Sequence, residues 1–177
     1  MIRILTAAIT IACLSVTAYA DDDTAIPEAR SYETHGQVMA NGQRVRYTAT
    51  AGETFLRDAD GNPTASIFST AYIADGHGDP RTRPVAFVFN GGPGSASLWL
   101  HMGVFGPQRV VLPDVQDDGA APYEMVENTY SILDVADLVF VDPVGTGWSR
   151  PLGEHEGSEF WGVDEDAESL AAFMRMW

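Results

Sequence analysis

Lysine is missing altogether: all ten basic residues are arginine, set against 25 acidic ones for a formal charge of −15. Without a basic cluster to neutralise phosphates, nucleic acid and anionic membrane surfaces are disfavoured as partners. Cysteine is nearly absent too, with Cys13 the single example. No apolar run is long enough to span a membrane as a mature anchor, since the longest stretch, Ile4 to Val16, falls short of a bilayer's thickness. Internal repeats and low-complexity tracts are lacking. A hydrophobic content of 45% is ordinary for a globular chain and argues against wholesale disorder.

What is present begins with an export signal. Arg3 is a minimal positive region, Ile4 to Val16 an apolar core, and Ala18-Tyr19-Ala20 an A-x-A cleavage site, followed by Asp21-Asp22-Asp23. Residues 1–20 therefore read as a cleaved signal peptide. Lipoprotein processing at Cys13 is a rival, weakened by Thr10 where an aliphatic residue is preferred. After ordinary cleavage the mature chain has no cysteine, which suits a bacterial periplasm better than a eukaryotic secretory route. Residues 21–35 read as a polar arm and 36–177 as an incomplete α/β domain.

From Gly36 the pattern becomes β. Asn41-Gly42 is a hairpin turn leading into the alternating Gln43–Thr50. Thr54–Arg57, a turn at Asp58–Pro63 and Ala65–Ile73 suggest a second hairpin. The aspartates invite a calcium-loop reading, but Pro63 stands at the required glycine and the downstream ligands are absent. Val85–Phe89 is a buried strand, and Leu98, Met102 and Phe105 mark a short helix ending near Gly106-Pro107. Gln108 to Leu112 suggests a short strand. Val135–Val141 holds a second continuous apolar run, suited to a buried parallel strand. From Asp164 a helix is predicted with Ala167, Leu170, Ala171, Met174 and Trp177 on its apolar face. It stops in mid-pattern. Two parallel strands alone could not bury both faces of a sheet.

Chemistry concentrates where the first buried strand stops, at Asn90-Gly91-Gly92-Pro93-Gly94. A glycine loop between a strand and a helix presents bare N–H groups, the donors that an oxyanion or a carboxylate needs. On spacing alone, an oxyanion loop and a plain tight turn stay equally open.

Phe89-Asn90-Gly91-Gly92-Pro93-Gly94-Ser95-Ala96-Ser97 resembles the NGGPG signature of the serine carboxypeptidases, peptidase family S10. His101–Pro107, Asp137–Ser149 and Phe160–Ala167 resemble further blocks of that family in the same order, and the bacterial branch in particular. The resemblance implies an α/β-hydrolase fold, no cofactor or metal, and a peptide substrate with a free C-terminus. It implies that Asn90 and Gly91 help hold the terminal carboxylate and that the N–H of Gly92 serves the oxyanion. The Asp142–Ser149 loop would help wall the cleft without supplying a catalytic atom. Ser95 replaces a family cysteine and Phe89 a family tryptophan; neither change removes a backbone donor.

The reacting groups of that family are not found here. No G-x-S-x-G occurs, and the nearest stretch, Gly147-Trp148-Ser149-Arg150-Pro151, ends in proline. Ser149 is thus expected to be a loop serine. His35, His77, His101 and His155 fit no triad pattern, and His101 is expected to be structural. His155-Glu156 lacks a second zinc-spaced histidine, and Gly145-Thr146-Gly147 lacks the third glycine of a dinucleotide fingerprint. The expectation is an N-terminal part of an exported serine carboxypeptidase, truncated before the nucleophile elbow. An inert remnant of the fold and an acyl-transferring relative stay open beside it.

Overall fold

The computed structural model describes residues 26–76, 80–91, 94–112 and 121–177. The signal peptide, the start of the polar arm, His77, Gly92 and Pro93 lie outside the described residues.

Three long strands come first: β1 (Ser31–Ala40), β2 (Gln43–Arg57) and β3 (Pro63–Ala74). They form two successive antiparallel hairpins. Asn41 (φ 47°) and Gly42 (φ 80°) make the first turn with both residues in the left-handed region, the conformation for which Asn-Gly is selected. In the second turn the Asp58 carboxylate accepts from the backbone N–H of Asp60 and of Asn62 and from the Asn62 amide. Asp58 is a turn former, as its sequence context suggests.

Two boundaries differ from expectation. The polar arm was expected to run to residue 35, but β1 begins at Ser31, where it pairs with Gly52. Ser31 to His35 are exposed on both faces, so no apolar alternation marks this end. Backbone pairing alone extends the strand. For the same reason β2 is continuous through Gly52, where a Cβ would press on the Arg30 carbonyl at 2.8 Å.

The two apolar runs follow as β4 (Val85–Val88) and β7 (Asp137–Val141), paired in parallel. β7 is buried throughout. β4, expected to be buried, instead ends the sheet with Val85 and the following Phe89 exposed and the rest half-buried. Only one side of it has a strand neighbour among the described residues. Between them lie a two-stranded ribbon of β5 (Gln108–Val110) and β6 (Met125–Glu127), and a 3₁₀ turn at Ile132–Asp134. A short strand β8 (Arg150–Pro151) pairs with Ser66 and Ala65. The main sheet runs β1-β2-β3-β7-β4, with β3 antiparallel to β7 and β8 continuing along β3. The front hairpins and the parallel pair therefore share one sheet, which is how the parallel pair gains covered neighbours.

The sheet is packed on both faces. One face buries Ile67, Val139, Val141, Leu170 and Phe173 beneath helix α2 (Val163–Met176). The other buries Val38, Tyr47, Leu138 and Phe140 beneath helix α1 (Leu98–Leu100), the π-helical turn His101–Phe105 and Leu133. Alternate residues of each strand supply the two faces. The fold is mixed α/β in three layers.

Each helix keeps most of its predicted apolar stripe, with Leu170 and Met174 in α2 and Phe105 after α1 packed on the core, and departs from it at single positions. In α2 the buried residues are Ser169, Leu170 and Phe173, while Ala167 is exposed. Phe173 anchors the helix, its ring edge-on to Phe87 at 6.3 Å. After α1 the Gly106 N–H reaches back five residues to the His101 carbonyl. That extra residue in the turn rotates the stripe, leaving Leu98 exposed and His101, Met102 and Phe105 turned inward.

Candidate active site

Because β4 and β7 are parallel neighbours, the loops that follow them emerge side by side at the carboxyl edge of the sheet. Open α/β sheets place their ligands at this edge. The β4 loop carries Asn90 and Gly91, and the β7 loop begins at Asp142.

Asn90 is half-buried and its side-chain amide donates to the Ala96 carbonyl, closing the loop on itself. Gly91 is exposed, with no atom within 4 Å of where a Cβ would stand. Gly92 lies outside the described residues. Gly94 takes φ +114°, a conformation that side-chain-bearing residues rarely adopt.

Asp142 joins the two loops. Its carboxylate is buried and accepts from both the backbone N–H and the hydroxyl of Ser97, each at 2.8 Å. A charged acceptor makes these bonds stronger than neutral ones. The Asp142 backbone carbonyl accepts from the Ser149 hydroxyl at 2.6 Å, and that hydroxyl accepts from the Phe68 N–H at 2.7 Å. Ser149 is therefore occupied at both ends in holding the β7 loop to β3, in agreement with its expected role as a loop serine. Gly147 (φ +52°) packs against the Asp142 carboxylate, where any Cβ would collide with the carboxylate and approach Ala96 Cβ at 3.3 Å.

His101 sits on the inner side of the helical segment after the loop. Its Nε2 is 2.7 Å from the Tyr72 hydroxyl, and its ring stacks on Phe140 with centroids 4.3 Å apart. Burial lowers its pKa to about 4, outweighing the opposing influence of Asp142. Burial, with Tyr47 adding to it, raises Tyr72 to about 12. Both are thus neutral at physiological pH, and His101 is a packed structural residue, as expected. A cavity of about 210 Å³ opens between the two loops, bordered by Ser97, Leu98, His101, Asp142 and Trp148.

Other polar pairs lie elsewhere. Arg83 and Asp137 form a buried pair at 2.8 Å at the opposite end of β7, where Asp137 also accepts from the Ala74 N–H. His155 pairs with Glu159 on the surface. Among the described residues no cluster of His, Cys, Asp and Glu is placed to hold a metal ion, and no helix is long and apolar enough to cross a membrane.

Residues 58–177 match the family model described as serine carboxypeptidase, well over half of the chain. The chain belongs to the serine carboxypeptidase family. Among solved structures it is similar to Kex1Δp, a prohormone-processing carboxypeptidase from Saccharomyces cerevisiae. The two share 25% identity at a TM-score of 0.50, covering 72% of this chain and 26% of that one. The chain thus spans about a quarter of the length of that carboxypeptidase. No curated protein matches it. Family membership and the α/β sheet agree with the sequence-based expectation of fold. The Ser97–Asp142 link was not anticipated, although an acid at the end of a buried strand, followed by a glycine loop, was its visible signal.

Proposed function

We propose that this chain is part of an exported serine carboxypeptidase of the bacterial branch, in which it supplies the carboxylate and oxyanion cradle. The observation behind this reading is the strand-to-helix loop at Asn90, seated at the carboxyl edge beside Asp142 in a chain of this family. The reaction releases C-terminal residues through an acyl-enzyme. An amide nitrogen carries two N–H donors. In Asn90 one closes the loop onto Ala96, and the other is assigned to the peptide's terminal carboxylate together with the Gly91 N–H. The Gly92 N–H is assigned to the oxyanion. Serine, histidine and aspartate of the triad would come from chain beyond these residues, as would export from the segment ending at Ala20.

In an enzyme with its full catalytic set, Asn90→Ala should weaken hydrolysis of free peptides by about tenfold to a hundredfold, the loss expected for a bond to a charged group. Peptides with a blocked C-terminus should lose far less. Equal losses on both would count against the assignment.

A second reading has one observation in its favour, the lack of any G-x-S-x-G in the 177 residues. On it, this stretch alone is catalytically inert. A serine-directed fluorophosphonate should then leave the isolated chain unlabelled, whereas stoichiometric labelling would refute inertness.

A further inference from the structure

The helical cover on the α1 side of the sheet does not extend along the whole of that face. Tyr47, Tyr72 and Phe140 pack with the segment after α1, but among the described residues no helix borders the cavity at Tyr32, Glu53 and Phe68. By strand alternation and register, all six side chains project from this same face. In place of a helix, the loop to β8 brings Trp148 and Arg150 across, and the segment before β1 brings Arg30. Together they enclose a second cavity of about 190 Å³.

Its charge is unusual for this chain. Glu53 is buried and salt-bridged to Arg150 at 2.8 Å, with Arg30 at 3.8 Å on its other oxygen. The Arg30 backbone N–H and the Ser66 hydroxyl donate to the same carboxylate. Two guanidiniums around one carboxylate leave a local charge of +1 in a molecule of −15. The acid is the hidden member. The side chain of Arg30 is 69% exposed and that of Arg150 42%, against 7% for Glu53. Arg150 spends one nitrogen on Glu53 and one on the Trp148 carbonyl. A guanidinium has five donors, so both arginines retain capacity toward solvent. Tyr32 and Trp148, each more than two-thirds exposed, give the cavity aromatic walls.

This cavity meets the one beside Asp142 at two shared residues, Phe68 and Trp148. Phe68 and Trp148 thus border both cavities, one of which reaches Ala96 and Ser97 and the other the two arginines. We infer that Arg30 and Arg150, with Tyr32 and Trp148, form a subsite for an acidic side chain of an extended peptide that passes Phe68 and Trp148 toward the cavity beside Asp142. A carboxylate beside apolar side chains matches a mixed cationic and aromatic lining. Only the choice of a peptide as carrier rests on the carboxypeptidase reading; the anion chemistry does not.

The test uses amide-blocked peptides, which have no terminal carboxylate for Asn90 to engage. Acetyl-Ala-Glu-Tyr-Ala-amide and its Gln counterpart are titrated against the purified chain, following tryptophan fluorescence, with Trp148→Phe assigning the signal. The Glu peptide should bind about tenfold more tightly, and the advantage should shrink as salt rises, because both cations are partly exposed. Arg30→Gln should remove most of the advantage while leaving the melting temperature near that of the wild type, its guanidinium being largely in solvent. Glu53→Gln should strengthen binding of the Glu peptide, since it deletes the one neutralising charge. Because both peptides lack a terminal carboxylate, the comparison does not depend on the role given to Asn90, so the subsite stands or falls apart from the carboxypeptidase reading. Equal binding of the Glu and Gln peptides, or no response to Arg30→Gln and Glu53→Gln, overturns the inference.

Discussion

Asp142 illustrates how much one buried carboxylate can organise. It takes two donors from Ser97, which lies 45 residues earlier in the chain. Asp142→Ala would leave the Ser97 N–H and hydroxyl without their acceptor, so a loss of about 1–3 kcal/mol is expected in urea unfolding. Asp142→Asn should cost less, because an amide oxygen still accepts one bond. His101 makes a separate statement about pH. Its folded pKa of about 4 lies below the ordinary histidine value near 6.5. Between these values the unfolded chain binds a proton that the folded chain refuses, so stability falls as pH drops through this window. Unfolding free energy measured from pH 7 to 4 should decline, and His101→Phe should flatten that part of the profile.

At the scale of elements, α2 shows why local pattern and final packing can part. Phe173 is fully buried against the sheet, whereas Ala167 faces solvent. Phe173→Ala should cost about 3–5 kcal/mol and Ala167→Ser should stay within about 0.5, a contrast that denaturant titration resolves. Periodicity placed the helix and its Leu170 and Met174 correctly but counted Ala167 in the stripe and missed Phe173, the large side chain that fills the space over the sheet. The Asn-Gly turn, the two apolar strands and the glycine loop were legible because each depends on neighbours in sequence. The start of β1 was not, since its outer end is held by pairing and carries no apolar code. The Ser97–Asp142 link and the Arg30–Glu53–Arg150 cluster were illegible for a related reason. Both join segments whose separation closes only when the sheet forms.

For the whole molecule, the front hairpins and the parallel pair share one main sheet. The hairpins of β1 to β3 are bonded to β7 through Ser69–Tyr72, and β8 returns to β3 just beyond. This gives the parallel pair an antiparallel flank and both faces a cover. The same arrangement explains where acidic charge is tolerated. Surface carboxylates dominate the exterior, while of the acids with buried side chains Glu53 and Asp137 face arginine and Asp142 faces the Ser97 N–H and hydroxyl. The candidate site thus draws on both halves of the described chain, with the loop after β4 secured by the strand end that follows it in sequence.

That securing contact bears on the kinetics of opening. Because Ser97 is latched to Asp142 at the end of β7, its amide is released only when the latch itself opens. Hydrogen–deuterium exchange should therefore show the Ser97 N–H slow and matched to the amides of Phe140 and Val141, as members of one cooperative unit. In Asp142→Ala the Ser97 amide should exchange orders of magnitude faster while those of β7 lag behind. The protection of Ser97 would then be set by a carboxylate 45 residues further along the chain.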